Sequence, residues 1–247
     1  MKILLSNDDG YNSTGISKLA DTLSKKHEVL VFAPKFNKSA SSSSLTIDKP
    51  LKPIKLNEKH YYLEGTPSDC VHMALCGFFD DSFDIVIAGI NSGPNLGDDV
   101  IYSGTVAAAI EGRFLGLPSM AVSLASWDGV HFETAARITE KLINIIHFSE
   151  LSPSTILNVN VPDVSLNQVK GFQTTILGSR HQSEDIYPDK DDCSQFWIGE
   201  NGKEANNGIG TDFYAVKNNY VSVTPLHIDL TNQKEITLVE EWLKKIN

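Results

Sequence analysis

Cysteine is scarce in this chain, and Cys70, Cys76 and Cys193 are an odd number with no CxxC spacing. A disulfide framework is excluded on that count, and reduced thiols in a cytoplasmic protein are expected. Cys70 and Cys76 share one apolar helical segment and read as core residues. Positive charge is also short: 21 Lys and Arg stand against 31 Asp and Glu, for a formal net charge of -10. No broad basic patch is left for a nucleic-acid polymer or an anionic membrane surface. A small phosphorylated substrate needs only a local positive site. Long apolar runs are missing: nothing approaches the ~20 residues that span a bilayer. Ile3 to Leu5 is too short for the core of a signal peptide. Several catalytic signatures are missing too, among them GxSxG, HExxH and any Cys/His zinc spacing. Of the histidines, His72 lies on an apolar helix and reads as structural. His227 fits either a sheet edge or an approach to a site.

What is present is an ordinary globular composition over 247 residues, 41% of them hydrophobic, consistent with one α/β domain spanning 1–247. Short apolar runs alternate with helical patterns. Strands are expected over Lys2–Ser6, Glu28–Ala33, Asp84–Ala88, Ser119–Ser123 and Ile156–Val161, and helices over about 13–26, 104–115 and 132–146. Thr66-Pro67-Ser68-Asp69 opens a further helix, with Thr66 as cap, Pro67 in the first turn and Asp69 at the positive end of the dipole. Such repeated βαβ units predict a doubly wound, mostly parallel, Rossmann-like sheet over about 1–165. Beyond it the pattern loosens. Strand-like segments near 171–177, 195–198, 212–216 and 220–224, a polar stretch over 180–210 and a helix over 235–245 predict a β-rich arm and a terminal helix over about 166–247.

The chemistry gathers at strand ends. Ile3-Leu4-Leu5-Ser6-Asn7-Asp8-Asp9-Gly10 is a buried-strand run that stops in an amide, two carboxylates and a glycine. Ligands of open α/β sheets bind just beyond such carboxyl ends. Two adjacent carboxylates there repel each other unless a cation or protons neutralise them, which suits a hard divalent metal on oxygen ligands. A solvated Asn-Asp-Gly turn is the plain alternative. Side chains alternate along a regular strand, so Asp8 and Asp9 converge only if the strand has already ended and Gly10 lets the chain turn. Aspartyl-nucleophile phosphatases space their two aspartates two apart. Here that position is Gly10, which disfavours a covalent mechanism.

Gly89-Ile90-Asn91-Ser92-Gly93-Pro94-Asn95-Leu96-Gly97-Asp98-Asp99 leaves another buried strand with backbone amides and neutral oxygens, or is simply a Gly/Asn loop. Asp98 and Asp99 suggest helix-entry or solvent roles. Tyr102-Ser103-Gly104-Thr105 opens an alanine-rich helix whose N–H groups and hydroxyls suit a phosphate, with plain capping as the competing account. Ser41 to Ser44 read as linker.

In this order these residues, with the Lys38-Ser39 loop and Gly65-Thr66-Pro67-x-Asp69-Cys70, resemble the SurE family of 5'/3'-nucleotidases. The resemblance extends to Phe196-Trp197-Ile198-Gly199, Gly210-Thr211-Asp212 and Val221-Ser222-Val223-Thr224-Pro225-Leu226. It implies a metal-dependent phosphatase on nucleoside 5'- and 3'-monophosphates, with an exopolyphosphatase activity in some members. By position it implies Asp8, Asp9, Ser39 and Asn91 as ligands of one divalent ion per subunit. An all-oxygen set favours Mg²⁺ or Mn²⁺ over Zn²⁺. Asn7, Asn95, Ser103, Gly104 and Thr105 would line the phosphate pocket, and Asp8 or Asp9 would act as base. Homodimers or homotetramers built on the C-terminal region are implied as well. One departure stands out: many relatives carry Asp-Pro-Arg-Gly where this chain has Pro188-Asp189-Lys190-Asp191-Asp192. Two other classes remain open. One is a nucleotide-binding regulatory module without turnover. The other is a Rossmann-like transferase or dehydrogenase, which the lack of GxGxxG after the first strand disfavours.

Overall fold

A computed structural model describes residues 1–80, 82–199 and 201–246. The main elements run β1 (Lys2–Ser6), α1 (Thr14–Leu23), β2 (Glu28–Pro34), β3 (Ile54–Asn57), β4 (His60–Leu63) and α2 (Pro67–Met73). They continue with β5 (Ile85–Ser92), α3 (Gly104–Phe114), β6 (Ser119–Leu124), α4 (Phe132–Ile145), β7 (Thr155–Val161) and β8 (Phe172–Thr174). The last set is β9 (Ser179–Arg180), β10 (Tyr187–Pro188), β11 (Phe196–Trp197), β12 (Glu204–Asn206), α5 (Asp212–Lys217), β13 (Val221–His227) and α6 (Ile236–Leu243). Nine strands form one sheet in the order β3-β4-β2-β1-β5-β6-β7-β13-β8. Its centre from β4 to β7 is parallel throughout.

The chain leaves β1 on one side for β2 and returns on the other as β5. That reversal of direction puts a switch point between β1 and β5, where open α/β sheets take their ligands. Both faces of the sheet are covered, which explains the continuous apolar strands. Ile3 and Leu5 of β1 pack towards α1 and α4, whereas Leu4 packs towards α2 and α3. Ala107, Ala108 and Ala109 let α3 lie close to the sheet, and Gly112 completes that approach: a Cβ there would lie 2.6 Å from Val86.

Gly15 does the same for α1, since a Cβ would sit 1.9 Å from the Ile90 carbonyl oxygen. Backbone cannot step aside as a flexible side chain can. Gly15→Ala is therefore expected to lower stability by about 1–3 kcal/mol, as overpacking does. Urea unfolding would show it as a fall in midpoint at unchanged slope, and an unchanged midpoint would contradict this packing account.

Several expectations need correction. The segment 212–216 is not a strand: it is the short helix α5, capped by Thr211, whose side chain accepts from the Tyr214 N–H at 3.2 Å. Of the C-terminal third, β13 and β8 extend the main sheet, β13 running antiparallel to β7. The arm proper is two small pairs, β9 with β12 and β10 with β11. Cys76 is exposed in an irregular turn after α2, and Cys70 alone of the two is in the core. The Thr66–Asp69 capping box forms as read.

Candidate active site

β1 and β5 lie side by side, so the Asp8-Asp9 turn and the loop after β5 emerge at one sheet edge. Asp8 is buried, and its Oδ1 accepts the Thr105 hydroxyl from the start of α3. Its main-chain oxygen accepts the Lys38 N–H at 2.7 Å, which fixes the loop that follows β2. Asp9 is half-buried and accepts the Ser92 N–H at 2.9 Å. Burial is the main force raising both carboxyls. It lifts Asp8 from 3.8 up to about 6 against the Thr105 hydrogen bond, with the neighbouring charge of Asp9 adding to the rise. Asp9 is raised in the same direction.

Asn91 reaches this edge through an irregularity of register. Gly89 pairs with Val122 and Asn91 with Ser123, so Ile90 is skipped and the strand re-aims its tip. The Asn91 amide nitrogen donates to the Gly93 oxygen at 2.9 Å, which leaves its Oδ1 as the unengaged end. Ser39 is exposed; its N–H is taken by Asn37 Oδ1 at 2.7 Å, and its hydroxyl has no protein partner.

The structure gives the expected phosphate residues different parts. Ser103 caps α3 by accepting from the Val106 N–H at 3.0 Å. Thr105 holds Asp8. Its main-chain N–H is also directed at the Asp8 carboxylate, so what faces outward at the helix start is the Gly104 N–H, one of the first N–H groups that have no acceptor within an α-helix. Gly104 lets the helix start lie close against the Asp8 turn and the serine loop, because a Cβ there would lie 2.8 Å from both Asp8 Cβ and Ser41 Oγ and 3.0 Å from Asp8 Oδ2. Asn7 spends its amide hydrogens inside the turn, on the Gly10 oxygen (2.9 Å) and Ser13 Oγ (2.8 Å), so it has no donor left for a phosphate. Asn95 is a hub between strand tips. Its oxygen accepts from Asn158 and Asn160, its N–H donates to Asn160 Oδ1, and its amide donates to Ser123 Oγ at 2.7 Å.

Ser41, read as linker, belongs to the site. Its Oγ is buried beside Asp8 and Gly104 with no hydrogen-bond partner. The serine loop reaches there because Ser42 bonds to the Tyr102 and Ile101 oxygens. Left-handed backbone at Ala40 and Ser42 makes the bend. A run of small residues is the one signal that could have marked it.

Among the described residues, no group of three or more His, Cys, Asp or Glu side chains could hold a metal ion. A cation here therefore depends on two carboxylates plus neutral oxygens. The residues fit one: two adjacent acids raised by burial, Asn91 Oδ1 and the Ser39 hydroxyl unengaged, and the buried Ser41 Oγ and Asn7 Oδ1 unpartnered. All are oxygen donors, as a hard ion prefers.

His227 is excluded from the site. It pairs with Thr155, the first residue of β7, and so lies at the opposite end of the sheet. His72 is structural, its ring 2.7 Å from Glu111 across α2 and α3. Pro188–Asp192 forms the turn of the β10–β11 hairpin, where Asp189 accepts the Trp197 indole N–H at 2.6 Å.

The family model described as Survival protein SurE matches residues 3–184. The chain belongs to the SurE family. It is 65% identical to the 5'-nucleotidase SurE of Ruthia magnifica subsp. Calyptogena magnifica over 246 residues, covering 100% of both chains. It is 50% identical to the 5'-nucleotidase SurE of Legionella pneumophila (strain Lens), covering 100% of this chain and 98% of that one. The crystal structure of the SurE protein from Aquifex aeolicus matches with a TM-score of 0.87 at 39% identity, over 98% of this chain and 99% of that one. Other family members thus share the whole length of the chain, including the segment beyond residue 184.

Proposed function

We propose that the protein is a metal-dependent 5'-nucleotidase that hydrolyses nucleoside 5'-monophosphates to nucleoside and inorganic phosphate. The observation that carries this reading is the pair of buried Asp8 and half-buried Asp9 at the β1–β5 switch point, beside unengaged neutral oxygens and the start of α3. Relatives named as 5'-nucleotidases at 50–65% identity over the full length support it.

Asp8, Asp9, Ser39 and Asn91 would hold one divalent ion, Mg²⁺ or Mn²⁺. That ion supplies Lewis acidity and offsets negative charge at the phosphoryl group. The Gly104 N–H, with the positive end of the α3 dipole, takes a phosphoryl oxygen and opposes charge growing on it. Asp9 is the more exposed carboxylate and the better placed to receive a proton from solvent. Asp8 is fixed by Thr105.

The finer proposals follow the same site. Hydrolysis of 3'-monophosphates needs only that the phosphate, not the base, be gripped. A recess of about 420 Å³ beside the end of β2 is lined by Lys35, Lys49, Lys52 and Glu64; Glu64 pairs with Lys35 at 2.6 Å, and Lys49 and Lys52 favour a longer anion such as polyphosphate. Exposed apolar residues on the hairpin (Tyr187, Phe196, Trp197) and on α6 (Leu238, Trp242, Leu243) favour a homodimer or homotetramer, which sedimentation would measure. No helix among the described residues is long and apolar enough to cross a membrane. A cytoplasmic location fits the two exposed thiols, Cys76 and Cys193.

The deciding experiment is phosphate release from a panel of nucleoside 5'- and 3'-monophosphates and polyphosphate, with a metal titration. Release from 5'-monophosphates should vanish with EDTA and return with Mn²⁺ or Mg²⁺. A protein that binds these nucleotides without releasing phosphate would instead be a regulatory module.

A further inference from the structure

Two charged residues outside the metal edge, Asp212 and Arg180, converge on one short turn. Asp212, the first residue of α5, is fully buried and accepts three main-chain N–H groups: Gly97 at 2.7 Å, Gly178 at 2.8 Å and Phe213 at 2.9 Å. Arg180, two residues after Gly178, grips Asp99 with Nε 3.0 Å from both carboxylate oxygens and Nη2 2.7 Å from Oδ2. Its own N–H donates to Asp98 Oδ2 at 2.7 Å, and its guanidinium lies over the Phe213 ring at 5.0 Å. Asp98 and Asp99 stand in the first turn of a short helical segment, Asp98 exposed and Asp99 half-buried under Arg180.

The turn held in this way is Gly97–Ile101. It joins Asn95 on one side to Ser103, Gly104 and Thr105 on the other. Gly97 adopts φ +53°, and a Cβ there would come within 2.6 Å of the Phe213 ring, so the turn is pressed against α5. Burial raises the Asp212 carboxyl despite its three donors, so its hydrogen bonds do not fully offset its desolvation. A group kept against that cost argues for fixing geometry rather than for adding stability.

We infer that Asp212 and the Arg180–Asp99 pair are positioning residues: they fix the Asn95–Thr105 segment so that the Gly104 N–H at the start of α3 meets the phosphoryl oxygens. The arm that carries Arg180 is thereby tied to turnover. This inference rests on the nucleotidase reading for its consequence in catalysis, but not for its geometry.

The test uses the full-length protein loaded with Mn²⁺ and the variants Asp99→Asn, Arg180→Ala, Arg180→Lys and Asp212→Asn. Orthovanadate affinity by calorimetry reads the phosphoryl cradle without turnover. Mn²⁺ affinity by electron paramagnetic resonance reads the metal edge. Vanadate binding should weaken about tenfold in Asp99→Asn and Arg180→Ala, with kcat falling about as much or more, since small misplacements near reacting groups are costly. Mn²⁺ affinity should stay within about twofold, and Arg180→Lys should recover part of the loss.

Vanadate affinity within about twofold of wild type in both Asp99→Asn and Arg180→Ala would overturn the inference. So would a parallel fall in Mn²⁺ affinity, which would mean general loosening. These two variants decide the matter even if Asp212→Asn does not fold. Weakened vanadate binding in variants of a protein whose wild type releases no phosphate would sink the nucleotidase reading and leave the positioning role standing.

Discussion

Asp8→Asn should abolish metal-dependent phosphatase activity while making the metal-free protein more stable at neutral pH. The two effects have one cause. Asp8 is buried next to Asp9, and without a cation its carboxyl is held at about 6 rather than 3.8. The folded state therefore binds the proton more tightly than the unfolded chain does. Stability contributed by that protonated carboxyl is present below about pH 4 and is lost as pH rises through about 6. At about 1.4 kcal/mol per pH unit the loss is about 3 kcal/mol, an upper figure for a site that can admit water.

Asparagine removes the charge but keeps an oxygen for the Thr105 hydroxyl. Metal-free Asp8→Asn should thus melt several degrees above metal-free wild type at pH 7.5, with the gap closing towards pH 4. Saturating Mn²⁺ should reverse the order. At a thousandfold excess over its dissociation constant a ligand adds about 4.1 kcal/mol to wild type, more than the charge costs, and little to a variant that lacks one ligand. Activity should fall by about 10²–10³-fold or more, as when a principal electrostatic group is removed from an active site. Scanning calorimetry with and without Mn²⁺, beside a phosphate-release assay, checks both halves. A metal-free variant no more stable than wild type would show that the acid pair is not under electrostatic stress. An Asp8→Asn or Asp9→Asn protein with full metal-dependent activity would remove these residues from the site.

The fold was largely legible because the cause of each central element is local. Strands buried on both faces must be apolar at every position, as Ile3-Leu4-Leu5 and Ile85-Val86-Ile87-Ala88 are, and the helices between them carry one apolar face. At 212–216, where a strand is expected, Phe213, Tyr214 and Val216 are residue types that strands favour. The Thr211 cap and Asp212 were the stronger signal, and they start a helix.

Within the site, sequence placed Asp8, Asp9, Asn91 and Gly104 at one edge, since strand ends in a parallel sheet share that edge. It misjudged which atoms face outward. Thr105 serves Asp8, 97 residues away, and Ser42 anchors its loop 59 residues away on Ile101. Arg180 finds Asp99 across 81 residues. Pairings of that kind are set by how loops pack over the sheet edge, and no local pattern encodes them.

Gly104→Ala is the second large effect, and it separates site geometry from stability most cleanly. In an open helix alanine is preferred to glycine by up to about 1 kcal/mol, so propensity alone predicts a slightly more stable protein. Here the new methyl group would meet Asp8 Cβ and Ser41 Oγ at 2.8 Å and Asp8 Oδ2 at 3.0 Å. Ser41 sits on a loop and can move. Asp8 follows directly on β1 and is tied by Thr105 and Lys38, so it cannot retreat without shifting the strand end. The methyl group therefore displaces the serine loop and shifts the start of α3, and with it the Gly104 N–H that would meet a phosphoryl group. A displacement of about 1 Å at reacting groups costs about 10²-fold in rate. Gly104→Ala should lose about that much kcat while its melting temperature stays within about 3 °C of wild type, the clash and the propensity gain opposing each other. The outcome that defeats this account is a folded Gly104→Ala protein retaining more than about a fifth of wild-type kcat. Glycine would then be present for the packing of the helix start, and the phosphate would have to bind elsewhere along the edge.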